Sequence, residues 1–187
     1  MQPTIIIFTG LPATGKTTLS KNIAKALNIP LFAKDAIKEI MYDTIGWSDK
    51  AFSAKLAQAT FGIMDLITEQ QLQTGRSLIL ESNYSPKLAS NTFRAWQKEY
   101  NCKIIQVVCQ TDVSVLAKRY VERQHIDRHP GHNDNVDVAG CAANFRQRIA
   151  NGEDQPLDVE GKVLVVDTTH FDAVDTGKIT GWIQNNI

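Results

Sequence analysis

The sequence predicts an α/β fold in which a mainly parallel sheet is covered by helices on both faces. Five short runs rich in β-branched and other apolar residues are separated by segments with helical periodicity. The runs are almost continuously apolar rather than alternating, which is typical of strands buried on both faces. A chain of 187 residues has the length of about one domain. We therefore expect one such domain over residues 1–187.

The elements of the first half follow from apolar runs and from residues that end helices. A strand is predicted up to Gly10, and the helix after it ends at Asn28-Ile29-Pro30. A long helix later in this half ends at Gly75. In chain order the predicted elements are the strand Thr4–Thr9, the helix from about Gly15 to Leu27, the strand Leu31–Ala33, and the helices Asp35–Asp43 and Ala51–Thr74.

The second half continues the alternation. Ser85-Pro86 is a typical helix start, with serine as the N-cap and proline at the first helical position, and Asp112 is placed to cap a later helix. The polar segment Gln124–Asn135 lacks periodicity, and we interpret it as a mobile lid. In chain order the predicted elements are the strand Ser77–Leu80, a helix to about Tyr100, the strand Ile104–Cys109, the helix Asp112–Gln124, the strand Val163–Val166 and the helix Phe171–Gln184.

Composition excludes some classes of partner. Twenty basic residues balance twenty acidic ones, which argues against recognition of long duplex DNA or an anionic membrane by bulk charge. No apolar run approaches the roughly 18 residues of a spanning helix, and the opening residues lack the basic region of a secretory signal. Three cysteines without C-x-x-C spacing indicate structural thiols in a reducing compartment. We expect a cytoplasmic location.

One motif carries chemistry directly. The eight residues Gly10-Leu11-Pro12-Ala13-Thr14-Gly15-Lys16-Thr17 fit G-x-x-x-x-G-K-[ST] between a predicted strand and a predicted helix. In such a loop, backbone N–H groups and the helix N-terminus face phosphate oxygens. Lys16 would reach the β- and γ-phosphates, and Thr17 would offer its hydroxyl to Mg²⁺. The motif predicts binding of a nucleoside triphosphate.

Two carboxylates follow neighbouring strands. Asp35 comes directly after the second strand, where a phosphotransferase needs a carboxylate to orient a hydroxyl acceptor and take its proton. The alternative is a role as helix N-cap, for which Lys38 leaves the capping box incomplete, and the two roles are compatible. Glu81 ends the third strand and could organise Mg²⁺ and its waters, or be an ordinary solvated strand end. Ser82 and Asn83 could add hydrogen bonds to substrate or to magnesium-bound water.

Three arginines are candidates for contacts with transferring phosphates. Arg119 and Arg123 lie four residues apart on one predicted helix, an arrangement that is mildly unfavourable unless an anion faces it. A solvated basic face is the alternative. Arg128 belongs to the polar segment and could move inward when the lid closes. The same run ends in His129-Pro130-Gly131-His132, which we interpret as a turn at the lid tip rather than as a metal site, since a zinc site needs further ligands.

With these residues assembled, the chain resembles the small P-loop kinases of the polynucleotide kinase, chloramphenicol phosphotransferase and zeta-toxin type. Ala13 replaces a frequent glycine, and Glu81 stands where polynucleotide kinases more often have aspartate. The Arg128–His132 run resembles one in uncharacterised members of this group. The other segments that carry the resemblance are Phe8–Thr18, Ala33–Asp35, Leu80–Asn83 and Leu116–Arg123.

The resemblance implies a P-loop NTPase three-layer sandwich with a five-stranded parallel sheet of order 2-3-1-4-5 and a helical lid at about residues 118–150. It implies Mg·ATP as the phosphate donor, Asp35 as general base and Arg123 as the catalytic arginine of the pair. Thr18 belongs to the phosphate-binding segment. Adenine would lie between the start of the lid helix and Asp167-Thr168-Thr169, which brings Arg119 and Thr168 to the nucleotide.

The leading hypothesis is an ATP-dependent kinase of a small-molecule hydroxyl. The alternatives are a 5′-hydroxyl polynucleotide kinase, which the neutral charge and the lack of an aromatic-basic stripe disfavour, and a non-kinase P-loop ATPase or regulatory switch. A GTP-specific switch would normally show an N-K-x-D-like motif, which the sequence lacks. The acceptor would be chosen within residues 36–75, whose large apolar side chains could line a pocket or form core: Met41, Tyr42, Trp47, Phe52, Phe61 and Met64.

Overall fold

The computed structural model describes residues 2–124, 126, 128–132 and 137–187. Its centre is a five-stranded sheet with the order β2-β3-β1-β4-β5, and every neighbouring pair is parallel. This confirms the predicted fold class and strand order. The strands are β1 (Thr4–Thr9), β2 (Leu31–Ala33), β3 (Leu78–Glu81), β4 (Lys103–Gln110) and β5 (Lys162–Asp167).

Helices cover both faces of the sheet. They are α1 (Lys16–Leu27), α2 (Lys34–Ile45), α3 (Lys50–Gln73), α4 (Pro86–Tyr100), α5 (Val113–Gln124), α6 (Val138–Ala150) and α7 (Thr176–Gln184), with short 3₁₀ turns at Pro130–His132 and Phe171–Ala173. Among the described residues, no helix is both long enough and apolar enough to span a membrane.

Alternate residues of β1 divide the core into two layers, because successive strand side chains point to opposite faces. Ile5 and Ile7 belong to a cluster with side chains of α3 and α4, whereas Ile6 and Phe8 belong to a cluster with side chains of α1 and α7. All four are fully buried. This double burial explains the continuous apolar run in the sequence, and it fixes the end of β1 as the start of the phosphate loop.

Most element boundaries agree with the predictions within about two residues. The last helix is an exception: Phe171–Ala173 is a separate 3₁₀ turn, and α7 begins at Thr176 because the Asp175 side chain accepts a hydrogen bond from the Lys178 backbone N–H at 2.9 Å. Ser85 does occupy the N-cap position of α4, but its side chain makes no capping hydrogen bond. Asp112 caps α5 as predicted, accepting from the Ser114 N–H at 2.8 Å.

Helix α6 was not given bounds by the sequence analysis. Asp137 caps it by accepting from the Gly140 N–H, and Cys141 and Phe145, four residues apart, are buried on one face. These two side chains pack with Leu11 of the phosphate loop and Leu116 of α5. Helices α5 and α6 are therefore attached to the phosphate loop through one small core. All three cysteines are free and buried, as expected for structural thiols.

Candidate active site

The segment Gly10–Thr17 forms a tight loop between β1 and α1. Gly10 has a φ of 141°, and a Cβ atom there would lie 2.3 Å from the Cys109 carbonyl oxygen, so only glycine fits. Inside the loop, the Thr14 hydroxyl donates to the Leu11 carbonyl at 2.9 Å. Ala13 adopts a left-handed conformation with a φ of 66°, which accounts for the frequent glycine at this position. The loop leaves the N-terminus of α1 facing a cavity.

Lys16 and Thr17 begin α1 and reach the end of β3. The Thr17 hydroxyl donates to Glu81 Oε2 at 3.0 Å, and Lys16 Nζ lies 3.9 Å from Glu81 Oε1. Burial lowers the pKa of Lys16, and Glu81 opposes that shift; burial also raises the pKa of Glu81, and Lys16 opposes it. Glu81 is thus a buried carboxylate against the loop, not a solvated strand end, and its oxygens with the Thr17 hydroxyl are hard ligands of the kind Mg²⁺ prefers.

A cavity of about 580 Å³ opens at the carboxyl ends of β1, β2 and β3. Most of the predicted site residues meet there. Gly10, Leu11 and Thr14 are buried below the loop surface instead. The predicted residues that line the cavity are Pro12, Ala13, Gly15, Lys16, Thr17, Thr18, Asp35, Glu81, Ser82, Asn83, Arg119, Arg123 and Arg128. The lining residues for which the sequence predicted no role at a site are Lys21, Lys34, Lys38, Tyr120 and His132.

Asp35 enters the cavity because β2 runs directly into α2. Ala33 is the N-cap residue, so Asp35 lies within the first helical turn rather than capping it. Arg128 Nη1 donates to Asp35 Oδ2 at 2.8 Å, and Lys34 Nζ lies 3.6 Å from Oδ1. Burial works to raise the pKa of this carboxyl, but the Lys34 and Arg128 cations outweigh it and hold the pKa well below its usual range. Asp35 is therefore ionised at neutral pH.

The run Arg128–His132, called here the basic run, lies along one face of α2. That face carries three carboxylates at intervals of four residues, a spacing that is repulsive in an isolated helix. The basic run supplies a partner to each. The pairs are Arg128 with Asp35 at 2.8 Å, His132 with Glu39 at 2.8 Å and His129 with Asp43 at 3.2 Å. This acidic face of α2 (Asp35, Glu39 and Asp43) therefore holds the basic run in place.

Aromatic packing adds to these polar contacts. The His129 ring stacks on Tyr42 with centroids 5.0 Å apart, and Gly131 lies so close that an added Cβ would be 2.8 Å from the Tyr42 ring and 2.9 Å from Trp47 Cβ. Tyr42 and Met64 belong to the six apolar side chains of residues 36–75 that were considered for an acceptor pocket. Both are buried, and none of the six lines the cavity. The prediction of a turn is confirmed by the 3₁₀ segment, but the basic run is packed on α2 rather than placed at a lid tip.

The two arginines of α5 have different surroundings. The Arg119 guanidinium donates to the carbonyl oxygens of Thr168 and Thr169, both at 2.9 Å, and so attaches α5 to the loop after β5. The Thr168 side chain is fully buried and its hydroxyl bonds to the Gln110 carbonyl at 2.9 Å, so any contact of Thr168 with a nucleotide would be through its loop. Arg123 lies over the Tyr120 ring, 4.7 Å from its centroid, beside the cavity.

The buried His132 gives a pH-dependence that can be measured. Burial and the Arg128 cation lower its pKa, so the neutral ring donates Nε2–H to Glu39. Below about pH 6.5 the unfolded chain gains a proton at His132 that the folded chain does not, so the free energy of unfolding falls by at most about 1.4 kcal/mol per pH unit. We expect the Tm to fall between pH 7 and pH 5, and less so in His132→Gln. Equal pH slopes for the two proteins would contradict this assignment.

A parallel 2-3-1-4-5 sheet with a phosphate loop after β1 and a carboxylate after each of β2 and β3 defines a P-loop protein of the kinase-like type. The AAA domain family model matches residues 5–148. The chain therefore belongs to this family, and the resemblance to small P-loop kinases is confirmed.

Solved structures agree with this assignment. A presumed kinase from Chloroflexus aurantiacus J-10-fl is 34% identical, matches over 100% of both chains and superposes with a TM-score of 0.90. Shikimate kinase from Bacteroides thetaiotaomicron is 14% identical over 97% of both chains, with a TM-score of 0.58. A sugar kinase from Janibacter sp. HTCC2649 is 11% identical over 99% of this chain and 94% of its own, with a TM-score of 0.59. The last two share the fold only.

Proposed function

We propose that this protein is an ATP-dependent phosphotransferase that moves the γ-phosphate of Mg·ATP to a hydroxyl group of a small molecule. The observation that carries the proposal is the position of Asp35. An ionised carboxylate lines the same cavity as the phosphate loop, on the side where a second substrate would approach. A protein that only bound nucleotide would not need a carboxylate there, because it repels the γ-phosphate.

The reaction follows from the groups around the cavity. The acceptor oxygen forms a bond to the γ-phosphorus as the bond from that phosphorus to the β,γ-bridging oxygen breaks, and ADP leaves with that oxygen and its electron pair. Asp35 orients the hydroxyl and receives its proton, which then passes to solvent. Lys16 and Arg123 stabilise the charge on the phosphoryl group during transfer. We assign Arg119 to nucleotide binding, because its guanidinium N–H groups already donate to carbonyl oxygens of the loop after β5.

The residues present fit a magnesium ion. Thr17 and Glu81 would hold it, directly or through water, and the ion would neutralise charge on the β- and γ-phosphates when bound. Within the described chain, Ser82 Oγ is buried on the cavity wall without a hydrogen-bond partner. A substrate oxygen or a metal-bound water would satisfy it.

The test is transfer of labelled γ-phosphate from ATP, with Mg²⁺, into a fractionated small-metabolite extract and, separately, into short oligonucleotides with 5′-hydroxyl ends. We expect a labelled small molecule and no labelled oligonucleotide. Labelled oligonucleotides alone would identify a polynucleotide kinase instead. Free phosphate released at the same rate with and without extract would mean that the loop serves hydrolysis or switching.

A further inference from the structure

Two buried hydroxyl groups at the carboxyl end of the sheet have no hydrogen-bond partner within the described part of the chain. They belong to Thr9, the last residue of β1, and to Ser82, the residue after β3. The two residues are only 1% and 2% exposed. A buried hydroxyl normally has a partner, because leaving one unpaired costs free energy. Of the two, Ser82 lines the cavity and Thr9 does not, so a bound ligand could supply the partner of Ser82.

The backbone register shows which side of the sheet the Ser82 side chain faces. Successive side chains of a strand point to opposite faces. In β3, Leu80 packs in the cluster with side chains of α3 and α4, whereas Glu81 contacts Thr17 of α1 on the other face. The Ser82 N–H donates to the Phe8 carbonyl at 3.2 Å, so the pairing with β1 continues through Ser82. The Ser82 side chain is therefore directed to the α3 side of the sheet, away from Glu81.

The group proposed to accept the hydroxyl proton lies on this same side. Lys34 Nζ lies 3.6 Å from Asp35 Oδ1 and 5.7 Å from the centroid of the Phe61 ring. Phe61 belongs to α3 and packs against the core cluster of that face. Asp35 and Ser82 follow the adjacent strands β2 and β3, and both line the cavity. The Ser82 hydroxyl therefore faces the part of the cavity in which the acceptor would meet Asp35.

Two other partners for the Ser82 hydroxyl are less consistent with this geometry. The proposed magnesium ion is held by Thr17 and Glu81, whose contact lies on the α1 side of the sheet. A buried water could instead bridge Ser82 to Thr9, which lies next to it on β1. Such a water would be part of the folded protein, and its loss would lower stability. A partner supplied by the substrate is absent from the free enzyme, so the two cases are distinguishable.

We propose that the Ser82 hydroxyl binds the acceptor, by a hydrogen bond to a polar group beside the hydroxyl that is phosphorylated. Asp35 orients the reacting hydroxyl and receives its proton as the new oxygen–phosphorus bond forms and ADP leaves with the β,γ-bridging oxygen. The acceptor is then a compound with at least two neighbouring polar groups. A simple alcohol would leave Ser82 unpaired in the complex and is expected to be a poor acceptor. This inference rests on the proposed function and names a residue that selects its acceptor.

The experiment compares wild type with Ser82→Ala in the transfer of labelled γ-phosphate from ATP, with Mg²⁺. The acceptor is supplied as serial dilutions of the small-metabolite fraction that yields labelled product, so its half-saturating amount is measurable before it is identified. We expect Ser82→Ala to need about 3- to 10-fold more of this fraction for half the maximal rate, the effect of one hydrogen bond. The maximal rate and the KM for ATP should stay within about twofold.

A matched variant and a stability measurement separate acceptor binding from a structural role. Thr9→Val removes the other unpaired hydroxyl, which does not line the cavity, and should leave the half-saturating amount unchanged. The Tm of both variants should equal or exceed that of wild type, because each change removes a buried hydroxyl that has no partner in the free protein. A lower Tm in both variants would reveal a water bridging the two hydroxyls and would overturn the proposal.

The kinetic outcomes are equally distinct. An unchanged half-saturating amount in Ser82→Ala overturns the proposal while the kinase function stands. The proposal is also overturned if the variant needs more Mg²⁺ for half the maximal rate but no more acceptor, which would assign the hydroxyl to a metal-bound water. If neither protein yields labelled product from any fraction, the proposed function itself is overturned, and this inference with it.

Discussion

Replacing Asp35 with asparagine is expected to slow phosphoryl transfer by about 10²- to 10⁴-fold, the usual contribution of a positioned acid–base group. The change keeps the size of the side chain but removes its ability to take a proton. Affinity for Mg·ATP should stay within about twofold, because Asp35 lies on α2 and not on the phosphate loop. Single-turnover transfer and equilibrium nucleotide binding, measured on the same preparation, separate the two effects.

The ionisation of Asp35 sharpens this test. The Lys34 and Arg128 cations hold its pKa well below the usual range, so the carboxylate does not titrate between pH 5 and pH 8. The carboxylate is therefore already in the form that can orient the hydroxyl and accept its proton, and the rate of the wild-type enzyme should show no acidic limb from Asp35 in that range. Transfer by Asp35→Asn within tenfold of wild type would show that the base is another group.

Asp35→Asn also weakens an ion pair of the basic run, and a control must isolate that effect. Asp43→Asn serves, because Asp43 lies on the same face of α2, is 70% exposed and contacts His129 at 3.2 Å. It weakens the docking of the basic run without touching the cavity. We expect near wild-type transfer from Asp43→Asn, so that a loss confined to Asp35→Asn is assigned to the carboxylate.

Lys16→Met should have an effect of comparable size on transfer, a loss of about 10²- to 10³-fold, as for removal of one preorganised donor at a developing charge. ATP affinity should fall as well, since we propose that Lys16 binds the donor phosphates. The effect of Lys16→Met on thermal stability should differ from its effect on transfer: the Tm should not fall. Lys16 is 8% exposed and burial lowers its pKa, so methionine removes a buried charge. Burial already raises the pKa of its partner Glu81, which can take up a proton once the lysine is gone, and we therefore expect an equal or higher Tm.

The control for Lys16→Met is Lys25→Met, at an exposed position near the end of the same helix. It should change neither transfer nor ATP affinity. A Lys16→Met protein that loses its fold at 25 °C would show instead that Glu81 needs the lysine to remain buried, since within the described part of the chain Glu81 would then accept a hydrogen bond from Thr17 alone. Retained transfer would contradict the role of Lys16.

The phosphate loop and the sheet were predictable because their signals are local. Residues Thr4–Thr9 are apolar without a break, and the spacing of Gly10, Gly15 and Lys16 is set by the backbone turn that these residues must make. Strand order is different: apolar runs predict strands but not their neighbours, and the order came from the resemblance to a family. The position of Asp35 followed from strand β2 ending at Ala33.

The surroundings of the site were less predictable because they depend on contacts between distant segments. Arg128 and Asp35 are 93 residues apart, and neither periodicity nor capping patterns predict that pair. The one available signal was the four-residue spacing of Asp35, Glu39 and Asp43, which indicates that basic side chains pack against that face of α2. Arg119 was expected to face phosphates, yet its donors meet backbone carbonyl groups after β5, which side-chain chemistry alone does not predict.

The pairing of α2 with the basic run has a consequence for engineering. If α2 alone were moved into a relative, its three carboxylates would face a segment that did not evolve with them. In the reverse exchange, the basic run would face a foreign helix whose side chains did not evolve to pair with it. The two segments are distant in sequence but form one exchangeable unit. Grafting a new acceptor preference onto this scaffold therefore requires residues 34–45 and 128–132 to be moved together, and libraries that vary them jointly should yield more folded enzymes than libraries that vary either alone.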